Sequence, residues 1–381
     1  MKKILFILNS DFGIQNTIGA RAKPIIEYSQ KKDKFIILCR DYDKNLKFKL
    51  NIKKVFPLSN ILMKFFTFLQ IYVSEKIPTG EIKNYIFEFF LKQKLKKIDF
   101  KDIKLIHSWD FLPNIYKYIK QKNKKTKIFQ DVPMALPNVI SNLIKKDNLW
   151  ENKDINIKKY VKESLKYVDY FVVPSNFVKD SLLKEGIKEN KILLVPFGVD
   201  IQKFKPLKNK ELNKKFKVAF SGNINKRKGI SYLIQAWKEL NLKNAELNIY
   251  GRVYPEVKDY LKNFEKYNVV IHGFIDLTKE IPKNNIYVFP SLLEGSAKSV
   301  YEAMACGLPI ITTYNAGSVI QNGKEGFIIP VQDVNSIKEK ILFFYNNRDE
   351  IEKFGKQARK TAEKYTWENY SKNINKIYER F

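Results

Sequence analysis

Short runs of apolar, mostly β-branched residues alternate along the chain with longer stretches in which apolar residues recur every three or four positions. The short runs predict strands, and the longer stretches predict amphipathic helices. Because the two alternate, the order is typical of parallel sheets covered by helices on both faces. The predicted strands are 3–9, 34–40, 103–107, 126–131, 169–174 and 192–196, then 217–222, 246–251, 268–272, 285–290 and 308–313, with 326–330 as a last edge strand.

Eleven or more strands are too many for one ordinary sheet, so we predict two sheets. A weak internal repeat supports this, because 169–183 and 286–300 both run from an apolar strand through Pro-Ser into a helix. The polar, lysine-rich segment 197–217 is the predicted break. The fold class is therefore α/β, with two Rossmann-like doubly wound domains that face a central cleft. Ligands are expected at the carboxyl ends of the strands.

Composition narrows the class of protein. The 381 residues carry a net charge of +30, which fits nucleic acid, an anionic membrane surface, an acidic substrate or simply a compositional bias towards lysine. The apolar segment 61–73 is too short to span a bilayer and contains Lys64. The first residues are interpreted as a strand rather than a signal peptide, and two cysteines cannot form a disulfide framework. We therefore expect a cytoplasmic protein.

One helix of the first half has two interpretations. Apolar residues recur at Ile82, Tyr85, Ile86, Phe89 and Phe90, and the lysine-rich segment 91–98 follows. An aromatic stripe with a basic end suits an interfacial helix on anionic lipid. The same pattern also fits an ordinary helix that packs on the sheet and exposes its lysines.

The segment 290–310, PSLLEGSAKSVYEAMACGLPI, carries two glutamates at a spacing that invites chemistry. Glu294 is predicted on the loop after a strand, and Glu302 about two turns into the following helix. The free N–H groups of the helix start lie between them and favour an anion. One nucleotide sugar could span this element, although two glutamates eight positions apart are common in ordinary helices.

A second loop, in FSGNINKRKGISYLIQAW (220–237), places Arg227 and Lys228 at the start of a helix. A loop of this kind can bring a lysine and backbone N–H groups to an anion. It is not a Walker loop, because GxxxxGK[ST] does not occur. Taken alone, it fits a basic loop on a basic protein equally well.

These segments together resemble glycosyltransferase family 4, the retaining enzymes of the GT-B fold (glycosyl transferases group 1). HGFID (272–276) and GSVIQNGKEGFIIP (317–330) add to the resemblance, which covers roughly Asp169 to the end of the chain. It implies an acceptor-binding domain over 1–196, a nucleotide-sugar-binding domain over 197–365, and a helix over 366–381 that crosses back to the first domain. The implied enzyme needs no metal and no cofactor, because a nucleoside-diphosphate sugar is its co-substrate.

The resemblance also implies roles for particular residues. Glu302 would hold the ribose and Glu294 the transferred sugar, while Lys228 would neutralise the diphosphate. The implied catalytic residues are Glu294, Lys228, Arg227 and Asp131; the implied donor-binding residues are Glu302, Gly295, Ser296, Ala297, Lys298, Gly222, Asn223, Gly273, Phe274 and Gly13.

The chain departs from the family pattern at two places. The family usually has an arginine where this chain has Asn223, and we expect Arg227 to supply the missing charge. Many members also carry a histidine near the reacting sugar, where this chain ends a strand with Gln130 and Asp131. His107 is the other candidate, as an acceptor-side residue, although a lone histidine at a strand end is more often structural.

Three functions are weighed. The favoured one is transfer of a sugar to a lipid or glycan hydroxyl, with the enzyme peripheral on the inner membrane face. A GT-B-type glycan phosphorylase, which would depend on pyridoxal phosphate, is the first alternative. A nucleic-acid-binding protein is the second, and no helix-turn-helix, zinc-finger or RNP-type motif supports it. A dinucleotide oxidoreductase is set aside because G-x-G-x-x-G is absent.

Overall fold

The computed structural model describes residues 2–14, 18–46, 50–56, 79–136, 155–208, 215–262 and 264–381. Within these residues two parallel sheets form, and the prediction of two Rossmann-like domains is confirmed. The first sheet has the order β3-β2-β1-β4-β5-β6-β7 and comprises β1 (Lys3–Phe12), β2 (Phe35–Tyr42), β3 (Asn51–Lys54), β4 (Ile103–Ser108), β5 (Lys127–Asp131), β6 (Tyr170–Val173) and β7 (Ile192–Leu194).

The second sheet has the order β10-β9-β8-β11-β12-β13, so the predicted last strand does lie at an edge. Its strands are β8 (Phe216–Ser221), β9 (Ala245–Tyr250), β10 (Val269–Gly273), β11 (Ile286–Phe289), β12 (Ile310–Thr313) and β13 (Gly326–Ile329). Strand β3 was not predicted. Its sequence, NIKK, is polar at three of four positions because it pairs only with β2 at the sheet edge.

Helices connect the strands and cover the sheets. They are α1 (Gly19–Glu27), α2 (Thr79–Leu95), α3 (Pro113–Lys122), α4 (Ile155–Leu165), α5 (Asn176–Lys184), α6 (Ile230–Leu240), α7 (Leu277–Glu280), α8 (Lys298–Ala305), α9 (Val334–Asn346), α10 (Arg348–Ala362) and α11 (Trp367–Arg380). Among the described residues no helix is both long and apolar enough to cross a bilayer. The apolar segment 61–73 lies outside the described residues.

The first sheet is packed on both faces, and a distant part of the chain supplies one of those layers. One face packs against α2, α3 and α5 through residues such as Leu91 and Leu182. The other face buries Phe6 and Phe129 under α1 and α11, which carries Tyr378. The last helix of the chain therefore belongs to the core of the first domain.

The chain passes into the second domain and returns from it along neighbouring segments. Val199 pairs with Thr366 in an isolated parallel bridge, and the amide of Val199 donates to the carbonyl oxygen of Tyr365 at 2.9 Å. The β7 and β8 strands lie on either side of the predicted boundary at 196, although the boundary itself stays a prediction.

Candidate active site

Two loops meet at the carboxyl edge of the second sheet. One is the tight turn Lys226–Lys228 between β8 and α6, and the other is the segment between β11 and α8. Gly229 ends the tight turn at φ +71°, and a Cβ there would lie 1.9 Å from the carbonyl oxygen of Pro290. Only glycine permits this approach. The carbonyl oxygen of Arg227 then accepts hydrogen bonds from the Leu292 amide at 2.9 Å and from Ser291 Oγ at 3.1 Å.

The joined loops bring three predicted residues together. Glu294 accepts a hydrogen bond from Arg227 Nη1 at 2.7 Å and forms an ion pair with Lys228 Nζ. The side chains of Glu294 and Lys228 are only 12% and 13% exposed. Burial lowers the pKa of the Lys228 ammonium, and the nearby Glu294 carboxylate acts in the opposite direction. Two cations share one carboxylate, so the cluster of Arg227, Lys228 and Glu294 has a net charge of +1.

Glu302 lies on α8 and is almost completely buried. Its carboxylate contacts Lys298 Nζ at 3.2 Å, one helical turn earlier, and that lysine is largely exposed. Burial raises the pKa of the Glu302 carboxyl, and Lys298 opposes the shift. A buried carboxylate whose cation partner reaches into solvent is suited to accept hydrogen bonds from hydroxyl groups of a ligand.

The backbone between the glutamates is only partly available to a ligand. The amide of Ala297 donates to the carbonyl oxygen of Ala316 at 2.9 Å, and the amide of Glu294 donates to Asn315 at the same distance. The Ala297 amide is therefore engaged within the second domain, and the binding of a donor by the segment 295–298 stays a prediction. Ser296 Oγ is likewise engaged, because it donates to the Tyr301 hydroxyl at 3.1 Å. Helix α8 begins at Lys298, and its Val300 amide donates to the carbonyl oxygen of Ala297 at 3.0 Å, so Lys298 and Ser299 carry the first-turn N–H groups that are suited to face an anion.

Three glycines follow three neighbouring strands at the same edge of the sheet. Gly222 follows β8, Gly251 follows β9, and Gly273 ends β10. They leave a shallow, open floor beside the charged loops, since a Cβ on Gly222 or Gly273 would meet no atom within 4 Å. Asn223 is exposed beside this floor, and the Phe274 side chain is 92% exposed. The structure thus places four of the predicted donor residues around one open surface.

The first domain reaches this site through its own strand ends. Ser175 Oγ, after β6, donates to the carbonyl oxygen of Gly295 at 2.5 Å. A Cβ on Gly295 would lie 1.5 Å from the carbonyl oxygen of Pro133, which follows β5. The Tyr314 hydroxyl donates to Asp180 at 2.6 Å, also across the domain boundary. The Gly295 turn is therefore enclosed between the two domains.

Asp131 ends β5, two residues before Pro133. It is 2% exposed, and its Oδ1 has no hydrogen-bond partner among the described residues. Burial raises the pKa of the Asp131 carboxyl to about 6, and Arg21 opposes the shift. The structure thus places this predicted catalytic residue close to the cleft, beneath its surface.

His107 does not reach the cleft. It is fully buried, stacks on Trp109 with a centroid distance of 4.2 Å, and forms a hydrogen bond through Nδ1 with the Tyr378 hydroxyl of α11. Burial lowers its pKa to about 3, so the ring stays neutral. The acceptor-side role is therefore corrected to a packing role between α11 and the first sheet.

Gly13 follows β1 at φ +81° and is buried. Its amide donates to the carbonyl oxygen of Gly19 at 3.3 Å, so the loop folds back onto α1. Residues 15–17 of the same loop lie outside the described residues, and contact of Gly13 with a donor phosphate stays a prediction.

Sequence reasoning missed a polar cluster at the carboxyl edge of the first sheet. The amide of Asn9 donates to Asp110 Oδ2 at 2.6 Å, and Asn114 Nδ2 donates to Glu88 Oε2 at 2.7 Å. Burial raises the pKa of the Asp110 carboxyl to about 6. The position of Asp110 after a strand was a signal that could have indicated it. Glu88 lies inside a helix and had no such signal.

The architecture defines the class of protein. Two Rossmann-like domains, facing each other across a cleft with a charged loop pair on one side, form the GT-B fold. The structure of sucrose-phosphate synthase from Thermosynechococcus elongatus matches all of this chain and 99% of its own with a TM-score of 0.74 at 17% identity. An Anabaena protein, HepE, solved in complex with UDP, matches all of both chains with a TM-score of 0.69 at 13% identity.

Sequence comparison then shows which family the chain resembles. Residues 201–361 match the family model described as glycosyl transferases group 1. The capsular polysaccharide biosynthesis glycosyltransferase CapM of Staphylococcus aureus is 31% identical over 234 residues, which span 58% of this chain and 60% of that relative. The matched residues are 161 of the 381 in the chain and include β8 to β13, so the chain is similar to the glycosyl transferases group 1 family in its second domain.

Proposed function

We propose that this protein is a retaining glycosyltransferase that moves a sugar from a nucleoside-diphosphate sugar to a hydroxyl of a lipid or glycan acceptor. The observation that carries the proposal is the pairing of Arg227 and Lys228 with the single carboxylate of Glu294. This arrangement holds a surplus positive charge beside the start of α8. A leaving diphosphate needs such a charge.

Each donor group has a candidate partner in the second domain. The diphosphate binds Arg227, Lys228 and the first-turn N–H groups of α8. The ribose hydroxyls bind the buried Glu302 carboxylate, and the base lies on the open floor near Gly273 and Phe274. When the diphosphate binds, the two cations turn towards it, and Glu294 is released to accept from the sugar hydroxyls. HepE, which has the same fold, was solved in complex with UDP, and this supports a nucleotide as part of the donor.

The transfer proposed for these residues takes place on one face of the sugar. The acceptor hydroxyl attacks the anomeric carbon as the bond to the diphosphate breaks, and a phosphate oxygen accepts the hydroxyl proton. Such a step depends on positioning and on charge stabilisation of the leaving group. Arg227 and Lys228 supply that charge, so we propose a metal-independent reaction without a protein nucleophile.

The acceptor binds at the carboxyl edge of the first sheet. The partly buried Asp110 and the buried Glu88 offer carboxylates there, and Asn9 and Asn114 offer amide groups. These groups suit a hydroxyl-rich molecule. The similarity to CapM, named for capsular polysaccharide biosynthesis, supports a surface glycan or its lipid-linked precursor. We propose that the enzyme acts at the inner membrane face.

A panel of nucleotide sugars tests the proposal. The purified protein is incubated with UDP-, GDP- and ADP-sugars, with and without a membrane extract, and release of free nucleotide is measured. We expect release from one nucleotide class, increased by the extract, with the anomeric configuration of the donor retained in the product. No release from any donor would contradict the proposal. Release of sugar phosphate from a glycan by a protein with visible pyridoxal absorbance would replace it with a phosphorylase.

A further inference from the structure

A large basic cavity lies at the amino-terminal edge of the first sheet, away from the cleft. Its volume is about 760 Å³, and it is lined by the starts of β4 and β5, the segment after α2 and the end of α3. Seven lysines line it, against one acidic side chain, Asp99. Its apolar part is formed by Ile98, Phe100, Ile103, Tyr118 and Phe381. A concave surface with this excess of lysine is suited to bind phosphate groups.

Helix α2 extends the same surface towards the cleft. Tyr85, Phe89, Lys92 and Lys96 are spaced by four, three and four residues, so they lie along one face of the helix. Lys96 lines the cavity, and Lys92 Nζ lies 5.5 Å from the centre of the Tyr118 ring. The stripe therefore joins the cavity without a break.

The aromatic end of the stripe is not needed for the core. Phe87, Leu91 and Leu95 bury the opposite face of α2 against the sheet. Tyr85 and Phe89 nevertheless remain 57% and 61% exposed. Two large exposed aromatic side chains beside a lysine cluster are typical of a surface that binds the membrane interface.

We propose that the lysine cavity and the exposed stripe of α2 dock the protein on a bilayer rich in anionic lipid. The lysines bind headgroup phosphates, and Tyr85 and Phe89 enter the boundary between headgroups and acyl chains. The exposed Tyr85 and Phe89 beyond the cavity favour a bilayer over a soluble polyanion, because a soluble polyanion offers no apolar phase for them. The proposal rests on the proposed function only for the presence of an acceptor in that bilayer.

The docked orientation follows from the path of α2. Asn84, near its start, accepts a hydrogen bond from Asn9 Nδ2 at 2.9 Å at the carboxyl edge of the sheet. Lys96, just past its end, lines the cavity at the opposite edge. The docking surface therefore runs from the cleft to the far side of the domain. The acceptor cluster of Asp110 and Glu88 lies at the cleft end of that surface, within reach of a lipid headgroup.

The test uses two matched sets of variants and vesicles of two compositions. One set is Lys101→Glu, Lys122→Glu and Lys125→Glu together, all exposed on the cavity. The control set is Lys205→Glu, Lys258→Glu and Lys360→Glu, all exposed outside the first sheet, with the same change in net charge. Binding to phosphatidylglycerol–phosphatidylcholine vesicles and to phosphatidylcholine vesicles is measured by flotation for both sets and for Tyr85→Ser/Phe89→Ser.

We expect the wild type to bind the anionic vesicles only. The cavity set and the aromatic pair should each lower that binding at least about tenfold, while the control set lowers it less than about twofold. Equal losses in both lysine sets, or an unchanged aromatic pair, would overturn the proposal. So would loss of duplex-DNA binding in the cavity set with vesicle binding unchanged. Donor hydrolysis without membranes should proceed at the wild-type rate in all variants. If the wild type itself hydrolysed no donor, the proposed function would fail while the docking proposal would stand.

Discussion

Ser175 of the first domain donates a hydrogen bond from Oγ to the carbonyl oxygen of Gly295 in the second domain, at 2.5 Å. Ser175 also caps α5, since its Oγ accepts from the Val178 amide. One side chain thus fixes a helix start and the turn that carries Glu294. This contact helps to set the position of the candidate active site relative to the first domain.

Replacement of Gly295 tests whether that enclosure is needed. In Gly295→Ala the new Cβ would overlap the carbonyl oxygen of Pro133, so the domains must move apart. We expect transfer to fall on the order of 100-fold, because small displacements of reacting groups are costly, while nucleotide affinity changes little. Turnover and calorimetric nucleotide binding measure the two effects.

Gly323→Ala provides the control, since a Cβ there would meet no atom within 4 Å and its positive φ adds only local backbone strain. It should reduce stability slightly and leave transfer intact. If Gly295→Ala transferred sugar at the wild-type rate, the enclosed turn would have no part in the reaction.

The cation pair is tested by single truncations. Arg227→Ala and Lys228→Ala each remove a charge that we assign to the diphosphate, and turnover should fall on the order of 100-fold in each. Lys226→Ala changes the same tight turn without touching Glu294, and it should stay close to wild type. Steady-state rates with saturating donor provide the measurement, and normal donor affinity and turnover in both variants would remove the assignment.

Substitutions of the two glutamates should have different effects. Glu302→Ala removes the proposed ribose acceptor, so nucleotide affinity should fall roughly 10- to 100-fold. Burial already disfavours the charged carboxyl, as its raised pKa indicates, so the substitution should not unfold the protein. Glu294→Ala leaves Arg227 and Lys228 uncompensated, so it should retain or strengthen nucleotide binding while transfer slows. Calorimetry with the free nucleotide separates the two, and the opposite order would reverse their roles.

The Asp131 carboxyl should make stability depend on pH. Its pKa is raised from 3.8 to about 6 in the folded protein, so the folded state holds its proton longer than the unfolded state. The contribution of this group therefore falls as the pH rises from about 4 to about 6, by up to about 3 kcal/mol. Asp131→Asn should remove that fall, which thermal unfolding at a series of pH values would detect. An unchanged pH profile in the variant would show that the carboxyl is not buried as described.

Local patterns predicted most of the fold because strand and helix periods are local properties. Twelve predicted strands appear close to their expected limits, while β3 escaped because an edge strand needs few apolar residues. The sequence displays Gly229, but it does not show that Pro290 is the residue that this glycine approaches. The same holds for Ser175 and Ser291. The repeated Pro-Ser pattern was visible, whereas the contacts of the two serines with Gly295 and Arg227 depend on packing between distant segments.

The sequence predicted the site residues that lie in recognisable motifs of the second domain. It missed the polar residues that the first domain contributes. Arg227 and Lys228 contact Glu294 because the two loops that carry them follow strands of the same sheet. His107 appeared at a strand end like a functional residue, yet the hydroxyl of Tyr378, from the far end of the chain, closes over it. Asp110 had the signal of its position after β4, whereas Glu88 gave none, and the place of Glu88 depends on how α2 lies on the sheet.

The bridge between Val199 and Thr366 has a consequence for the architecture of the whole molecule. The second domain starts and finishes at neighbouring points, so it is inserted into the first domain in the way that a loop is inserted between two strands. A domain that is inserted through two adjacent ends is an exchangeable structural module. We expect that the second domain can be exchanged for another without disturbing the first sheet or the helix α11 that remain behind.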